Sequence, residues 1–391
     1  MQPEPFEVNV DEARLVDLRD RLDRAWIAAD FANDDWRYGV EAGYLKELVA
    51  DWRDHYDWRA VEREINSFAN FRVELDGVPV HFIHERGVGE SPTPLILSHG
   101  WPWTFWDYHK VIRPLTDPVA FGGSEEDAFD VVVPSLPGYG FSTPLRTPGV
   151  QFTRTTDLWV RLMREVLGYD RFAAYGGDWG SLVTADIGHR YPEHLIGMQL
   201  GLCFPLDFQL PGEDDYAADE RDRFEQTTTK MATCVSHMSV QSADPQTLAY
   251  ALQDSPVGLL AWILERRRAW SGCEGEVERC FSKDDLITTA MIYWVTESIG
   301  TSMRYYWEAA QNPWRPVHDR RPIVEAPTGI LLWPQEVALM PDAHLRRYYN
   351  VERLTEMEAG GHFHPMEQPE ALVGEIRAFH SQLRSSRKEL V

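Results

Sequence analysis

Tyr175-Gly176-Gly177-Asp178-Trp179-Gly180-Ser181 decides how the rest of this 391-residue chain is read. The apolar run Phe172-Ala173-Ala174-Tyr175 leads into it, and a helical pattern leaves it. A strand-to-helix turn this tight admits only small neighbours and lifts its central side chain above the carboxyl end of a sheet. The spacing is that of a nucleophile elbow, with Asp178 at its centre instead of Ser or Cys. Attack by a carboxylate on an ester or amide carbonyl would make a high-energy anhydride, whereas attack on a saturated carbon makes a stable ester. The expected substrate therefore carries an electrophilic sp3 carbon. Aspartate, with a reference pKa of about 3.9, needs no base to ionise it at neutral pH. No G-x-S-x-G occurs anywhere in the chain, so a serine esterase or peptidase reading lacks its nucleophile.

Short apolar runs separated by helical spacing surround the elbow: Leu95-Ile96-Leu97, Val131-Val132-Val133, Ile196 to Leu200, and Ile330-Leu331-Leu332-Trp333. Such alternation predicts βαβ units and a parallel sheet buried on both faces. Between about Cys203 and Val317 the strand pattern gives way to helical spacing, as at Leu259, Leu260, Ile263 and Leu264, which reads as a helical cap inserted into the sheet domain. Upstream, Leu15, Leu18, Leu22 and Trp26, then Tyr44, Leu45, Leu48 and Trp52, predict amphipathic helices. Asp76-Gly77 between two alternating runs, Phe71 to Leu75 and Val78 to Ile83, predicts a hairpin. The expected organisation is an N-terminal segment over 1–90, the first part of the sheet domain over 91–203, the cap over 204–317 and the second part of the sheet domain over 318–391.

Two further motifs fit an α/β-hydrolase fold, a mostly parallel sheet flanked by helices. In Ser98-His99-Gly100-Trp101-Pro102, the Trp101 N–H and that of Trp179 are placed to form an oxyanion hole, with His99 as a structural hydrogen bonder. Gly360-Gly361-His362-Phe363 follows the expected last strand, where this fold carries its catalytic histidine; His362 would activate the water that cleaves the ester. The acid that orients it belongs after the preceding strand, at Glu336, with Asp342 as a rival on spacing. His81 with His84, and His362 with His364, join no wider ligand cluster, so neither a metal nor any other cofactor is expected.

The net charge of −24 disfavours nucleic acid and anionic membranes as partners. The N-terminus lacks a basic segment followed by an apolar run, and no stretch approaches the ~20 apolar residues of a membrane span. Four scattered cysteines suit a reducing cytoplasm.

The chain resembles the microsomal-type epoxide hydrolases, in particular their soluble bacterial relatives, over nearly its whole length. The resemblance rests on Asp57-Trp58-Arg59-Ala60-Val61-Glu62, the His99-Gly100-Trp101-Pro102 loop and Pro134 to Ser142. It continues through the elbow, Pro245-Gln246-Thr247-Leu248-Ala249-Tyr250 and Asp254-Ser255-Pro256-Val257-Gly258. It implies an N-terminal meander wrapped around the domain and a cap closing the site from above. It also implies an apolar epoxide turned into a vicinal diol, with Asp178 as nucleophile, Glu336 as acid and His362 as base. The family's two cap tyrosines protonate the epoxide oxygen; one corresponds to Tyr306, while His237 stands where the other is expected. A histidine there is expected to lose its charge at about pH 6 to 7 and then act as a neutral donor. Trp101 and Trp179 are expected beside the substrate. The expected partner is a small-molecule epoxide and, if the chain self-associates, a second copy. The role would be detoxification or secondary metabolism.

A haloalkane dehalogenase is the alternative, since it shares the Asp nucleophile and the Asp-Trp pair. An alkoxide leaving group needs a proton donor such as Tyr306, whereas a halide does not. A non-catalytic scaffold of the same fold would be betrayed by a missing triad member.

Overall fold

The computed structural model describes residues 2–388. Nine strands form one sheet: β1 (Glu4–Pro5), β2 (Asn70–Leu75), β3 (Val78–Glu85), β4 (Thr93–Ser98), β5 (Phe129–Pro134), β6 (Phe172–Gly176), β7 (Leu195–Leu200), β8 (Val324–Leu332) and β9 (Tyr349–Glu356). Their spatial order is β1-β2-β3-β5-β4-β6-β7-β8-β9. The first three strands and β5 pair antiparallel, and every pairing from β5 onward is parallel. Leu95, Ile96, Leu97, Val131, Val132 and Val133 are fully buried, as apolar strands covered by helices on both faces must be. The β2–β3 hairpin turns on Asp76 and Gly77, both at positive φ (52° and 75°), which is the backbone that Asp-Gly favours.

The order of the central strands sets the site. β4 pairs with β6 in parallel, with Ser98 opposite Gly176, so the loops leaving the two strands emerge side by side at the carboxyl end of the sheet. On the far side, β8 and β9 run in parallel, and a bridge between Gln335 and Gly361 extends their pairing past both strand ends. Glu336 and His362, one residue further on, are thereby neighbours.

From Arg221 to Gln311 the chain forms six α-helices and no strand among the described residues. The N-terminal helix Glu12–Asp23 packs on helix Pro256–Trp270 of this layer, and Arg21 donates to the Asp254 carbonyl at 2.6 Å. Leu18 and Leu22 are buried as their spacing predicts, but Trp26 lies beyond the helix end and is 97 % exposed. Its place in the expected apolar stripe is corrected: the helix stops at Asp23, and Trp26 falls in the following loop. No described helix is long and apolar enough to cross a membrane.

Candidate active site

Asp178 sits between β6 and helix Trp179–Arg190 with φ 51° and ψ −127°. That backbone is rare for a residue with a side chain and costs about 1–3 kcal/mol unless its surroundings enforce it. The enforcement is close packing: a Cβ on Gly180 would stand 1.9 Å from the Ser98 carbonyl oxygen, so only glycine lets the helix start this near β4. Asp178 caps the helix, whose exposed N–H groups favour a negative charge there.

Two groups meet the carboxylate directly, and a second carboxylate stands behind one of them. The Trp101 N–H donates to Oδ1 at 2.7 Å. His362 Nε2 lies 3.4 Å from Oδ2, and its Nδ1 lies 2.7 Å from Glu336 Oε1. Glu336 is itself oriented by the Val337 N–H at 2.6 Å. Asp342, the rival acid, begins helix Asp342–Tyr348 and pairs with Arg223 at 2.8 Å, leaving Glu336 as the carboxylate that meets His362. Burial opposes a charge on the His362 ring, but Glu336 and Asp178 together outweigh it and raise its pKa to about 10. The ring is an imidazolium while Asp178 carries its charge.

His99 accepts the Leu136 N–H at 3.0 Å through Nε2 and contacts the Gly100 carbonyl at 2.9 Å through Nδ1. Burial lowers its pKa to about 4, so it braces the loop as a neutral ring. His364 is buried too, bonded to the Tyr175 hydroxyl and stacked on Trp333 at 4.8 Å. Among the described residues no three His, Cys, Asp or Glu side chains are placed to hold a metal.

A cavity of about 60 Å³ opens above Asp178, lined by Trp179, His237, Trp270, Tyr306 and His362 together with apolar side chains such as Met231 and Met238. Tyr306 comes from helix Ile299–Gln311, its ring 4.7 Å from that of Trp179 at 80°. Burial and the Asp178 charge hold its hydroxyl protonated, well above the usual tyrosine pKa. His237 comes from helix Ser236–Ala243; it stacks on Trp101 at 4.9 Å and meets Tyr306 edge-on at 5.4 Å. The Trp101 ring is fully buried behind His237, so its backbone, not its indole, faces the nucleophile. One expectation fails: burial, Arg266 and His362 push the His237 pKa well below its usual value. The ring is neutral through mildly acidic and neutral pH, with no change of charge near pH 6 to 7.

Pattern reading did not find Arg267. Its guanidinium pairs with Asp107 at 2.7 Å, both side chains almost wholly buried, and lies 4.1 Å from the centre of the Phe363 ring. This ion pair fastens helix Pro256–Trp270 to the segment after the Trp101 loop, while the His362 N–H donates to the Trp270 carbonyl at 2.9 Å. The only local signal was Thr104-x-x-Asp107, a capping box, which says nothing of a partner 160 residues away.

Comparison with known proteins places the whole chain in one family. The family model for the epoxide hydrolase N terminus matches residues 3–108, and that for the alpha/beta hydrolase fold matches residues 93–293. A putative epoxide hydrolase of Stigmatella aurantiaca is 36 % identical over 97 % of this chain and 85 % of its own length. Epoxide hydrolase 1 of Oryctolagus cuniculus is 34 % identical over 96 % of this chain and 88 % of its own. The solved Aspergillus niger epoxide hydrolase superposes with a TM-score of 0.85 at 25 % identity, covering 98 % of this chain and 97 % of that one. By sequence along its whole length and by fold, the chain belongs to the epoxide hydrolase family of α/β-hydrolases.

Proposed function

We propose that the protein opens an apolar epoxide to a vicinal diol through a covalent ester on Asp178. The observation that carries this is a carboxylate nucleophile facing a protonated tyrosine across an apolar cavity. An epoxide needs both, since its carbon accepts the carboxylate while its oxygen must be protonated as the C–O bond breaks. A leaving halide needs no such acid, which favours epoxide opening over dehalogenation. The cavity holds only a few water volumes, so a bulky substrate enters as pliable wall residues such as Met231 and Met238 shift.

In the first step Asp178 attacks the epoxide carbon and Tyr306 gives its proton to the oxygen. Ester formation removes the charge of Asp178, one of the two carboxylates that hold the proton on His362. That proton then returns through water to the Tyr306 phenolate, leaving a neutral imidazole. His362 takes a proton from water, and the hydroxide adds to the ester carbonyl, whose oxyanion faces the N–H groups of Trp101 and Trp179. Expulsion of the diol regenerates the carboxylate beside an imidazolium, with Glu336 orienting the ring throughout. Epoxide and water are consumed and diol formed, with every proton accounted for. We place the protein in the cytoplasm, a setting that its four unpaired cysteines suit.

Single turnover in water labelled with oxygen-18 tests the nucleophile. The expected result is label in the Asp178 carboxylate first and in diol only on later turnovers, with Asp178→Asn inactive but folded. Label in the first diol overturns the ester.

A further inference from the structure

Helix Arg221–Thr233 turns a polar face inward. Arg223, Gln226, Thr227 and Lys230 recur at three- and four-residue spacing and so share one face. That face meets the segment between β8 and helix Asp342–Tyr348, which carries Glu336. Gln226 Nε2 donates to the Pro334 carbonyl at 2.9 Å and to the Glu336 carbonyl at 3.0 Å. Lys230 donates to the Gln335 carbonyl between them. Thr227 Oγ1 accepts the Leu339 N–H at 2.9 Å, and Arg223 pairs with Asp342 at 2.8 Å. A helix that merely covered the interior would present apolar side chains to it; this one commits its inward face to the chain around the acid.

Few contacts aim the Glu336 carboxylate itself. Its Oε2 meets no donor among the described residues, while Oε1 accepts the Val337 N–H at 2.6 Å and faces His362 Nδ1 at 2.7 Å. Its direction therefore follows the peptide unit that joins Glu336 to Val337. That unit is planar, with the Glu336 carbonyl at one end and the Val337 N–H at the other. Gln226 grips the first end, and the second holds the carboxylate. The Gln335 and Glu336 N–H groups bind the Gly360 and Trp333 carbonyls, each at 3.0 Å. Both lie on the other side of the Glu336 Cα, so they do not fix the plane that follows it.

We propose that Gln226 is a positioning residue of the cap: by gripping the Glu336 carbonyl it fixes the peptide plane whose N–H holds the Glu336 carboxylate against His362. The inference rests on the epoxide reading above. Glu336 orients the base and stabilises its charged form, and the base serves hydrolysis of the ester, not its formation. Gln226 therefore acts on the second step, through a bond from the cap to the acid's own backbone.

Gln226→Met removes both donated bonds and keeps an unbranched side chain of similar length. Nuclear magnetic resonance of protein labelled with nitrogen-15 at histidine, with His362 assigned by loss of signal in His362→Gln, reads the base without any substrate. The His362 ring should lose its proton at lower pH in Gln226→Met than in the wild type, the direction expected of Glu336→Gln but a smaller change. The charged groups near that ring are Asp178, Glu336 and Glu367, with His237 and His364 neutral beside it and Lys230 facing Glu336. The substitution alters none of these charges, so a moved titration reports the place of the Glu336 carboxylate, and an unmoved one overturns the proposal. Stopped-flow tryptophan fluorescence with styrene oxide separates the two steps. Gln226→Met should slow decay of the ester about 10-fold, short of the ~10²-fold typical of losing the base outright, while alkylation stays within about threefold of wild type; equal slowing of both steps refutes it. In the Glu336→Gln background the same change should slow ester decay less than twofold further, and a full 10-fold there means a packing role and also refutes it. If Gln226→Met does not fold, Gln226→Asn, one methylene short of the two carbonyls, takes the same measurements with the same outcomes. A shifted titration in a protein that forms neither ester nor diol from styrene oxide and a panel of other epoxides would sink the epoxide reading and leave the positioning role standing.

Discussion

Gly100→Ala tests how tightly the loop after β4 governs the nucleophile. A Cβ built on Gly100 lies 2.0 Å from Asp178 Oδ1 and 2.3 Å from its Cβ, against about 3.4 Å for ordinary contact. Loop and elbow must therefore separate by about 1.4 Å, the difference 3.4 − 2.0. Taken along the Trp101 N–H bond, that lengthens 2.7 Å to about 4.1 Å, beyond hydrogen-bonding reach. A misplacement of this order costs roughly 10²-fold in a positioned reaction, and overpacking costs about 1–3 kcal/mol of stability. The variant should fold with a lowered melting temperature and alkylate Asp178 about 10²-fold more slowly, as followed by stopped-flow fluorescence and by intact mass of the quenched ester. Alkylation within about threefold of wild type would refute the claim that Gly100 holds the carboxylate in place.

His362→Gln should still form the ester but hydrolyse it at least ~10²-fold more slowly, so an adduct of substrate mass should accumulate on Asp178; a folded variant with neither turnover nor adduct contradicts the division of labour. Tyr306→Phe should slow alkylation by ~10²-fold or more while leaving decay of preformed ester little changed, and a wild-type alkylation rate would remove Tyr306 from the first step. Glu336→Gln bears on pH. His362 titrates at about 10 in the folded protein against a reference value of 6.5. The stability it contributes is therefore complete below about pH 6.5, declines above it and is gone once pH passes about 10. The wild-type melting temperature should drop across that window through this group, and Glu336→Gln, lacking the first-named carboxylate, should show a smaller drop. Equal drops would mean that Glu336 does not hold the proton.

Much of the scaffold was legible along the chain because its signals are local. A strand-to-helix turn with a reactive side chain demands small residues at fixed offsets, so Gly176-Gly177-Asp178-Trp179-Gly180 announces itself. Doubly covered strands demand unbroken apolar runs, so β4 to β8 could be marked from Leu95, Val131, Phe172, Ile196 and Ile330. Asp178 and His362 could be singled out as candidates on the same terms, by place relative to a strand.

Relations between distant residues were settled by the tertiary structure. Spacing left Glu336 and Asp342 as rivals; the Gln335–Gly361 bridge between the ends of β8 and β9 brings Glu336 to the His362 ring and sends Asp342 to Arg223. The helical period continued to Trp26, but the folded helix ends before it. The buried Arg267–Asp107 pair joins segments with no shared pattern. The charge of His237 was misjudged because a reference pKa describes a solvated ring, whereas this one is enclosed between Trp101 and Trp270 with Arg266 close by. Turn chemistry and apolar periodicity are written in neighbouring residues and can be read there. Burial and through-space charge belong to the assembled interior, where the residues that set them lie far apart in the chain.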